Sequence, residues 1–192
     1  MLALDKNLGK ADVALKDKLE VVVKALKDSK ISHELCCALF WFLKDIAIDT
    51  KNENMEEMLK GGVIPILSMG LQSKNQQIVS LSTLITANLT AISNTLYIKE
   101  MYDNKILDIL VTLLPSSTPE VKRRCLCALG NIAIDSTQSS NYLINTKLIE
   151  EIIALSKPGE IMVALIREAC WIMYVLCKNQ TSFDRVLTFI NN

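Results

Sequence analysis

The sequence predicts an all-α protein in which about four copies of a three-helix unit stack into a right-handed α-α superhelix. Two observations predict this fold class: an internal repeat with a period near 43 residues, and a composition with few helix breakers. The chain has 192 residues, of which 50% are hydrophobic, with 6 Gly and 4 Pro. Abundant aliphatic residues with few breakers favour helices joined by short loops.

The repeat is visible without gaps. Residues 63–89 align with residues 106–132 at a constant offset of 43. One column of the alignment is aliphatic in every unit and contains Ile46, Leu89, Ile132 and Leu176. A period near 43 lies in the range of about 40 to 47 residues that is typical of stacked helical repeats. One such unit cannot cover its own apolar faces, so we expect the copies to pack on one another.

We expect one domain over residues 1–192, divided into units near residues 11–50, 51–93, 94–136 and 137–179, with a partial unit at 180–192. Gly61 and Gly62 are expected at a sharp bend between the first two helices of the second unit, because glycine adopts left-handed backbone at little cost. Ser117 to Glu120 predicts a helix start, with a capping hydroxyl and a proline in the first turn.

Eleven helices and a closing segment follow from the pattern. In chain order they are expected at Asp12–Leu26, His33–Ile48, Asn54–Lys60, Val63–Leu71, Gln76–Ala91, Leu96–Tyr102, Lys105–Leu114, Glu120–Ile134, Asn141–Asn145, Leu148–Leu155, Ile161–Lys178 and Phe183–Ile190.

Charge and motifs argue against several function classes. Lys plus Arg and Asp plus Glu are 21 each, a balance unlike that of a nucleic-acid binder. No apolar run reaches the roughly 18 residues of a membrane span, and no signal peptide is recognisable, so we expect an intracellular protein, cytoplasmic or nuclear, with no membrane partner. His33 is the single histidine, and no phosphate loop or nucleophile motif is present. We therefore expect no enzyme, no cofactor and no metal.

The six cysteines are expected to be structural thiols, since all lie within apolar helical runs. Cys125 and Cys127 are two residues apart and would point about 200° apart on a helix, which prevents them from binding one metal. A disulfide framework is not expected in a chain without secretory features.

Four segments carry a family resemblance: CALGNIAIDS at 127–136, IREACW at 166–171, FWFLKDIAID at 40–49 and KGGVIPIL at 60–67. They resemble the armadillo repeats of the importin alpha family. The resemblance implies a concave groove lined by the third helices, in which a Trp and an Asn four residues later recur. In that family the Asn amides clamp an extended peptide backbone and the Trp rings form slots for Lys side chains.

The resemblance, transferred position by position, gives a candidate groove of nine residues: Trp41, Asp45, Leu84, Asn88, Arg123, Cys127, Asn131, Arg167 and Trp171. No unit has both the Trp and the Asn. The tryptophans either line the groove or fill the core between units, and the asparagines either clamp a peptide or bond to neighbouring third helices. The arginines either meet an acidic partner or are solvated, and they would repel a Lys-rich segment.

Two functions follow from this pattern. The first is an adaptor that binds a protein or peptide partner as an extended segment in the concave groove. The second is a non-catalytic scaffold subunit of a larger assembly. The segment FDRVLTFI favours docking of the C-terminal end on another subunit, because its apolar side chains are expected to be poorly covered: Val186, Leu187, Phe189 and Ile190.

Overall fold

A computed structural model describes residues 14–48, 52–92, 95–115, 117–155, 163–178, 183–184 and 186–188. Across these ranges the regular elements are helices, and no strand is present. The named helices in chain order are α1 (Leu15–Leu26), α2 (His33–Ile48), α3 (Asn52–Lys60), α4 (Val63–Leu71), α5 (Gln76–Thr90), α6 (Thr95–Asp103), α7 (Ile106–Leu113), α8 (Pro119–Asp135), α9 (Thr137–Leu143), α10 (Leu148–Leu155) and α11 (Val163–Cys177). The all-α prediction is confirmed.

The third helices α2, α5, α8 and α11 pack side by side in chain order and form one layer of the molecule. The second helices α4 and α7 pack on each other in a neighbouring layer, and α9 packs against α8. The buried apolar side chains form one continuous cluster that extends through all four units. The aliphatic column of the alignment lies in this cluster, at 9% exposure or less: Ile46, Leu89, Ile132 and Leu176.

The third helices of the first three units begin at equivalent capping residues. The hydroxyl of Ser32 accepts from the Leu35 amide at 3.2 Å. The Asn75 side chain accepts from the Gln77 amide at 2.7 Å. Thr118, a further 43 residues along, accepts from the Val121 amide at 3.4 Å. Each cap satisfies a helix N–H that has no partner within the helix, and is worth about 1 kcal/mol.

The bend before the second helix also recurs. Gly62 precedes α4 in the left-handed conformation, with φ at 76°, as the sequence predicts. Lys105 occupies the equivalent position before α7 and is also left-handed, with φ at 58°. Left-handed backbone costs a residue with a Cβ atom about 1 to 2 kcal/mol. The second bend is therefore strained where the first is not.

We expect Lys105→Gly to stabilise the fold by about 0.5–1 kcal/mol, since relief of the left-handed strain exceeds the entropy that glycine gains in the unfolded chain. Gly62→Ala should destabilise it by about 1 kcal/mol, and this cost is in the backbone alone, because a Cβ there would meet no atom within 4 Å. Urea unfolding of both variants measures the two effects. If both substitutions stabilised the fold, or both destabilised it, the assignment of backbone strain to Lys105 would be contradicted.

Some expectations about the helices and about the C-terminal end are wrong or fall outside the described residues. The first helix of the fourth unit spans Thr137–Leu143 and not Asn141–Asn145, because the Ser136 hydroxyl caps it by accepting from the Ser139 amide at 3.1 Å. Val186, expected to be poorly covered, is 2% exposed, whereas Leu187 is 40% exposed. Asp12, Ile161, Phe189 and Ile190 lie outside the described residues.

Among the described residues, no helix has the length and apolar character that crossing a membrane requires.

Candidate partner-binding face

The nine candidate residues occupy comparable places on the four third helices. All nine are at least partly exposed. We call this set the groove positions: Trp41 and Asp45 on α2, Leu84 and Asn88 on α5, Arg123, Cys127 and Asn131 on α8, and Arg167 and Trp171 on α11. Contacts between successive third helices connect several of these positions.

The two asparagines bond to the helix that precedes their own. Nδ2 of Asn88 donates to the Ala47 carbonyl at 3.0 Å. Nδ2 of Asn131 donates to the Thr90 hydroxyl at 3.2 Å and to the Ala87 carbonyl at 3.4 Å. The asparagines therefore bond to the neighbouring third helix, which is one of the two roles that the sequence left open for them. A carbonyl oxygen can only accept, so each amide turns its nitrogen toward the neighbouring helix, and neither Oδ1 atom has a hydrogen-bond partner among the described residues.

Trp41 is 45% exposed, so a large aromatic surface faces solvent on α2. Nζ of Lys44 lies over its ring, 4.7 Å from the centroid. The same Nζ is 2.5 Å from the Asp45 carboxylate, whose side chain is 70% exposed. This end of the row therefore carries an aromatic ring, a cation and a carboxylate in contact. Sequence reasoning missed Lys44, although its spacing three residues after Trp41 places both on one helix face.

Trp171 packs on the surface of the neighbouring helix at Gly130. A Cβ atom at Gly130 would lie 2.1 Å from Cζ3 of the Trp171 ring, so the absence of a side chain there makes room for the ring. Trp171 is nevertheless partly exposed. It therefore fills space between α8 and α11 and also presents a surface. Val175, four residues later, is 4% exposed and offers no polar group.

Arg123 is held in a charged network and is not simply solvated. Its Nη2 atom is 2.9 Å from the Glu120 carboxylate, and its Nη1 atom is 3.7 Å from Glu168 on α11. Arg167 also contacts Glu168, at 3.3 Å, but its side chain is 72% exposed. The positive charge that faces solvent at this end of the row is therefore mainly that of Arg167.

A further arginine joins α8 to α5. Nη1 of Arg124 donates to the carbonyl oxygen of Ser80 at 2.9 Å and to its hydroxyl at 3.0 Å, and Nε donates to Glu120 at 3.0 Å. The sequence signal for this contact is the separation of 44 residues between Ser80 and Arg124, which is about one repeat. Glu120 thus organises both arginines at the start of α8.

The hydrogen bond from Arg123 and the positive charges beside Glu120 lower the pKa of its carboxyl below 4.5. A lowered folded-state pKa contributes stability that is present above the ordinary value and is lost as pH falls through the folded-state value. We expect Glu120→Gln to cost about 0.5–1 kcal/mol at pH 7, as for a partly exposed ion pair, and the difference from wild type to shrink below pH 4.5. Urea unfolding at pH values of about 7, 5 and 3, which span the expected transition, measures this difference in the free energy of unfolding, with Glu53→Gln as the control. A difference that persists at the lowest pH would argue against this role.

All six cysteines are free thiols. Burial raises the pKa of Cys125 to about 12, and it also raises the pKa of Cys127 at the groove positions. A raised pKa keeps a thiol protonated and weakly reactive. Cys170, by contrast, is exposed, so the expectation that all six cysteines are structural core thiols is wrong for this residue. Within the described ranges no three His, Cys, Asp or Glu side chains are placed to hold a metal ion.

Layered three-helix units with a row of exposed positions on their third helices define an α-solenoid, a class in which each unit contacts its neighbours and the stacked surface is extended. A sequence model of the Armadillo/beta-catenin-like repeat matches residues 94–134. This match covers one of the repeats, and the structure confirms the predicted fold, a right-handed armadillo-type solenoid of about four repeats.

Solved armadillo structures support this fold. A designed armadillo repeat protein superposes with a TM-score of 0.79 at 21% identity and covers 90% of this chain and 70% of that one. A second, solved in complex with the peptide (KR)4, has a TM-score of 0.76 at 21% identity and covers 89% and 70%. The armadillo repeats only protein of Plasmodium falciparum has a TM-score of 0.70 at 18% identity and covers 83% and 68%.

Among curated proteins, the chain is similar to a probable importin subunit alpha-A from Dictyostelium discoideum. The two are 27% identical over 142 residues, an alignment that covers 68% of this chain and 26% of that protein. This chain therefore spans about a quarter of the length of that relative.

Proposed function

We propose that this chain is a non-catalytic adaptor of importin-alpha type, which binds an extended segment of a partner protein along the groove positions. The observation that carries the proposal is the pair of amides on α5 and α8. Asn88 and Asn131 are oriented by bonds to the preceding helix, and their Oδ1 atoms have no partner among the described residues. The proposal places the protein in the cytoplasm, the nucleus or both.

The amides are suited to main-chain recognition. An extended segment presents N–H groups at regular intervals, and an amide oxygen held in a fixed orientation accepts from such a group without regard to side chain. Because each Nδ2 is tied to the neighbouring helix, little side-chain entropy is lost when a partner binds. The amides thus favour an extended partner of variable sequence.

Exposed apolar side chains on the third helices supply further contact area. Trp41, Ile48 and Ile134 are 45%, 50% and 50% exposed, and all three lie on third helices. Aromatic and aliphatic anchors of this kind dominate the affinity of many protein interfaces. The complex of a designed armadillo repeat protein with a peptide supports the same use of the fold.

The test begins with selection of extended segments from a displayed peptide library on the wild-type chain, followed by calorimetric titration. We expect the Asn88→Ala/Asn131→Ala variant to weaken binding at least about tenfold, the effect of losing about two hydrogen bonds. Gln77→Ala, an exposed amide at the start of α5, is the matched control. Thermal melts establish that the variants are folded, and Trp41→Ala provides a second groove variant that leaves the inter-helix amide bonds intact. Equal affinity for all of these proteins would refute the proposal.

A scaffold role in a larger assembly is the second candidate, and the exposed surface of α11 favours it. Val163, Tyr174 and Ile166 are 82%, 60% and 45% exposed there. Apolar surface of this kind often marks a protein interface. The test is purification from native extract with the partner at fixed stoichiometry, and loss of that partner in Val163→Glu/Tyr174→Glu. Co-purification unaffected by this variant would argue against the role.

A further inference from the structure

Resting on the proposed function, we infer that Lys44 is a specificity-determining residue that covers the Trp41 ring and excludes lysine and arginine side chains of a partner from it. The partner segment selected by this chain is therefore uncharged where it passes α2. The inference concerns which side chains are accepted, whereas the proposed function concerns the binding of an extended backbone.

The geometry places the cation of Lys44 where a partner's cation would bind. Its Nζ atom is 4.7 Å from the Trp41 ring centroid, within the distance of about 6 Å at which a cation is attracted to an aromatic face. The Lys44 side chain is 17% exposed, so it lies along the protein surface and does not extend into solvent. Asp45 holds the same ammonium at 2.5 Å, which fixes the cation in place.

A partner's lysine would have to displace Lys44 from both contacts. The ring face and the Asp45 carboxylate are already engaged by one positive charge, and a second charge at the same place would be repelled. Trp41 nevertheless keeps 45% of its surface exposed, so apolar side chains retain access to it. The site thus favours uncharged over cationic side chains.

The other end of the row has the same preference. Arg167 is 72% exposed on α11, and Arg123 lies beside it across Glu168. A designed armadillo repeat protein of similar fold was solved with the cationic peptide (KR)4. This chain presents its own cations at both ends of the groove positions, and we expect it to bind such a peptide weakly.

The test measures binding of a fluorescent octapeptide of alternating Lys and Arg by anisotropy, at low and at physiological salt. Lys44→Gln should bind it about three- to tenfold more tightly than wild type, since a cation–π contact and a like charge are both removed from competition. Lys44→Arg should behave as wild type, because arginine also covers an aromatic face. The gain should shrink in Trp41→Ala/Lys44→Gln, because the part of it that comes from the ring face is then lost.

Lys99→Gln is the matched control, because it removes one exposed lysine from α6, away from the third helices. Equal binding by wild type and Lys44→Gln, a similar gain in Lys99→Gln, or a gain of full size without Trp41 would each overturn the inference. No binding by any variant would overturn it as well. The segments selected on wild type, and their dependence on Asn88 and Asn131, report separately on the proposed function.

Discussion

Gly130→Ala should destabilise the protein by about 1–3 kcal/mol, although alanine is normally the better helix former. The new Cβ atom would lie 2.1 Å from Cζ3 and 2.7 Å from Cε3 of Trp171, far inside van der Waals contact. The ring cannot withdraw without moving α11, which packs along α8. The steric cost therefore exceeds the propensity gain of about 1 kcal/mol.

The same substitution in a Trp171→Leu background provides the control. With the ring removed, Gly130→Ala should become neutral or stabilise by up to about 1 kcal/mol, the intrinsic advantage of alanine in a helix. Urea unfolding of the four proteins gives the coupling energy between the two positions. A loss of the same size in both backgrounds would show that the ring does not cause it.

Ile85→Ala should cost about 3 kcal/mol, within the range for large-to-small substitution in a core. Ile85 is 0% exposed on α5, which packs between α2 and α8. A cavity at Ile85 weakens the packing of α5 against α2 and against α8 at the same time. Because solenoid stability is a sum over units and their interfaces, we expect denaturant unfolding to become less cooperative, with the two ends of the stack unfolding in separate transitions.

Ile134→Ala is the matched substitution on a neighbouring third helix, where the side chain is 50% exposed. It should cost less than about 1 kcal/mol, as for surface positions. Circular dichroism against urea, read for both midpoint and slope, measures the pair. Similar losses for the two variants would contradict the placement of Ile85 in the core.

The repeat period was sufficient to predict most helices, because stacking requires the same columns to be buried in every unit. The column of Ile46, Leu89, Ile132 and Leu176 was recognisable from the sequence for this reason. The short helix at Thr137–Leu143 was misplaced, since it is largely polar and is set by the Ser136 cap and not by apolar period.

Features that depend on a single side chain were harder to predict. Nothing intrinsic to lysine signals left-handed backbone, and Lys105 is recognisable only by its alignment with Gly62. The contacts from Arg124 to Ser80 and from Arg123 to Glu168 cross between units, so they depend on how far one third helix is shifted along the next. The repeat pattern identifies equivalent positions but does not give that shift.

The layer of third helices has a mechanical consequence. Each helix makes its main contacts with the one before and the one after, so α2 and α11 are joined through a series of similar seams. Small rotations at successive helix–helix interfaces add up, so the two ends can move apart while each interface stays nearly intact. The stack of third helices should therefore be elastically flexible along its length, so that the distance between α2 and α11 adjusts to the length of a bound segment.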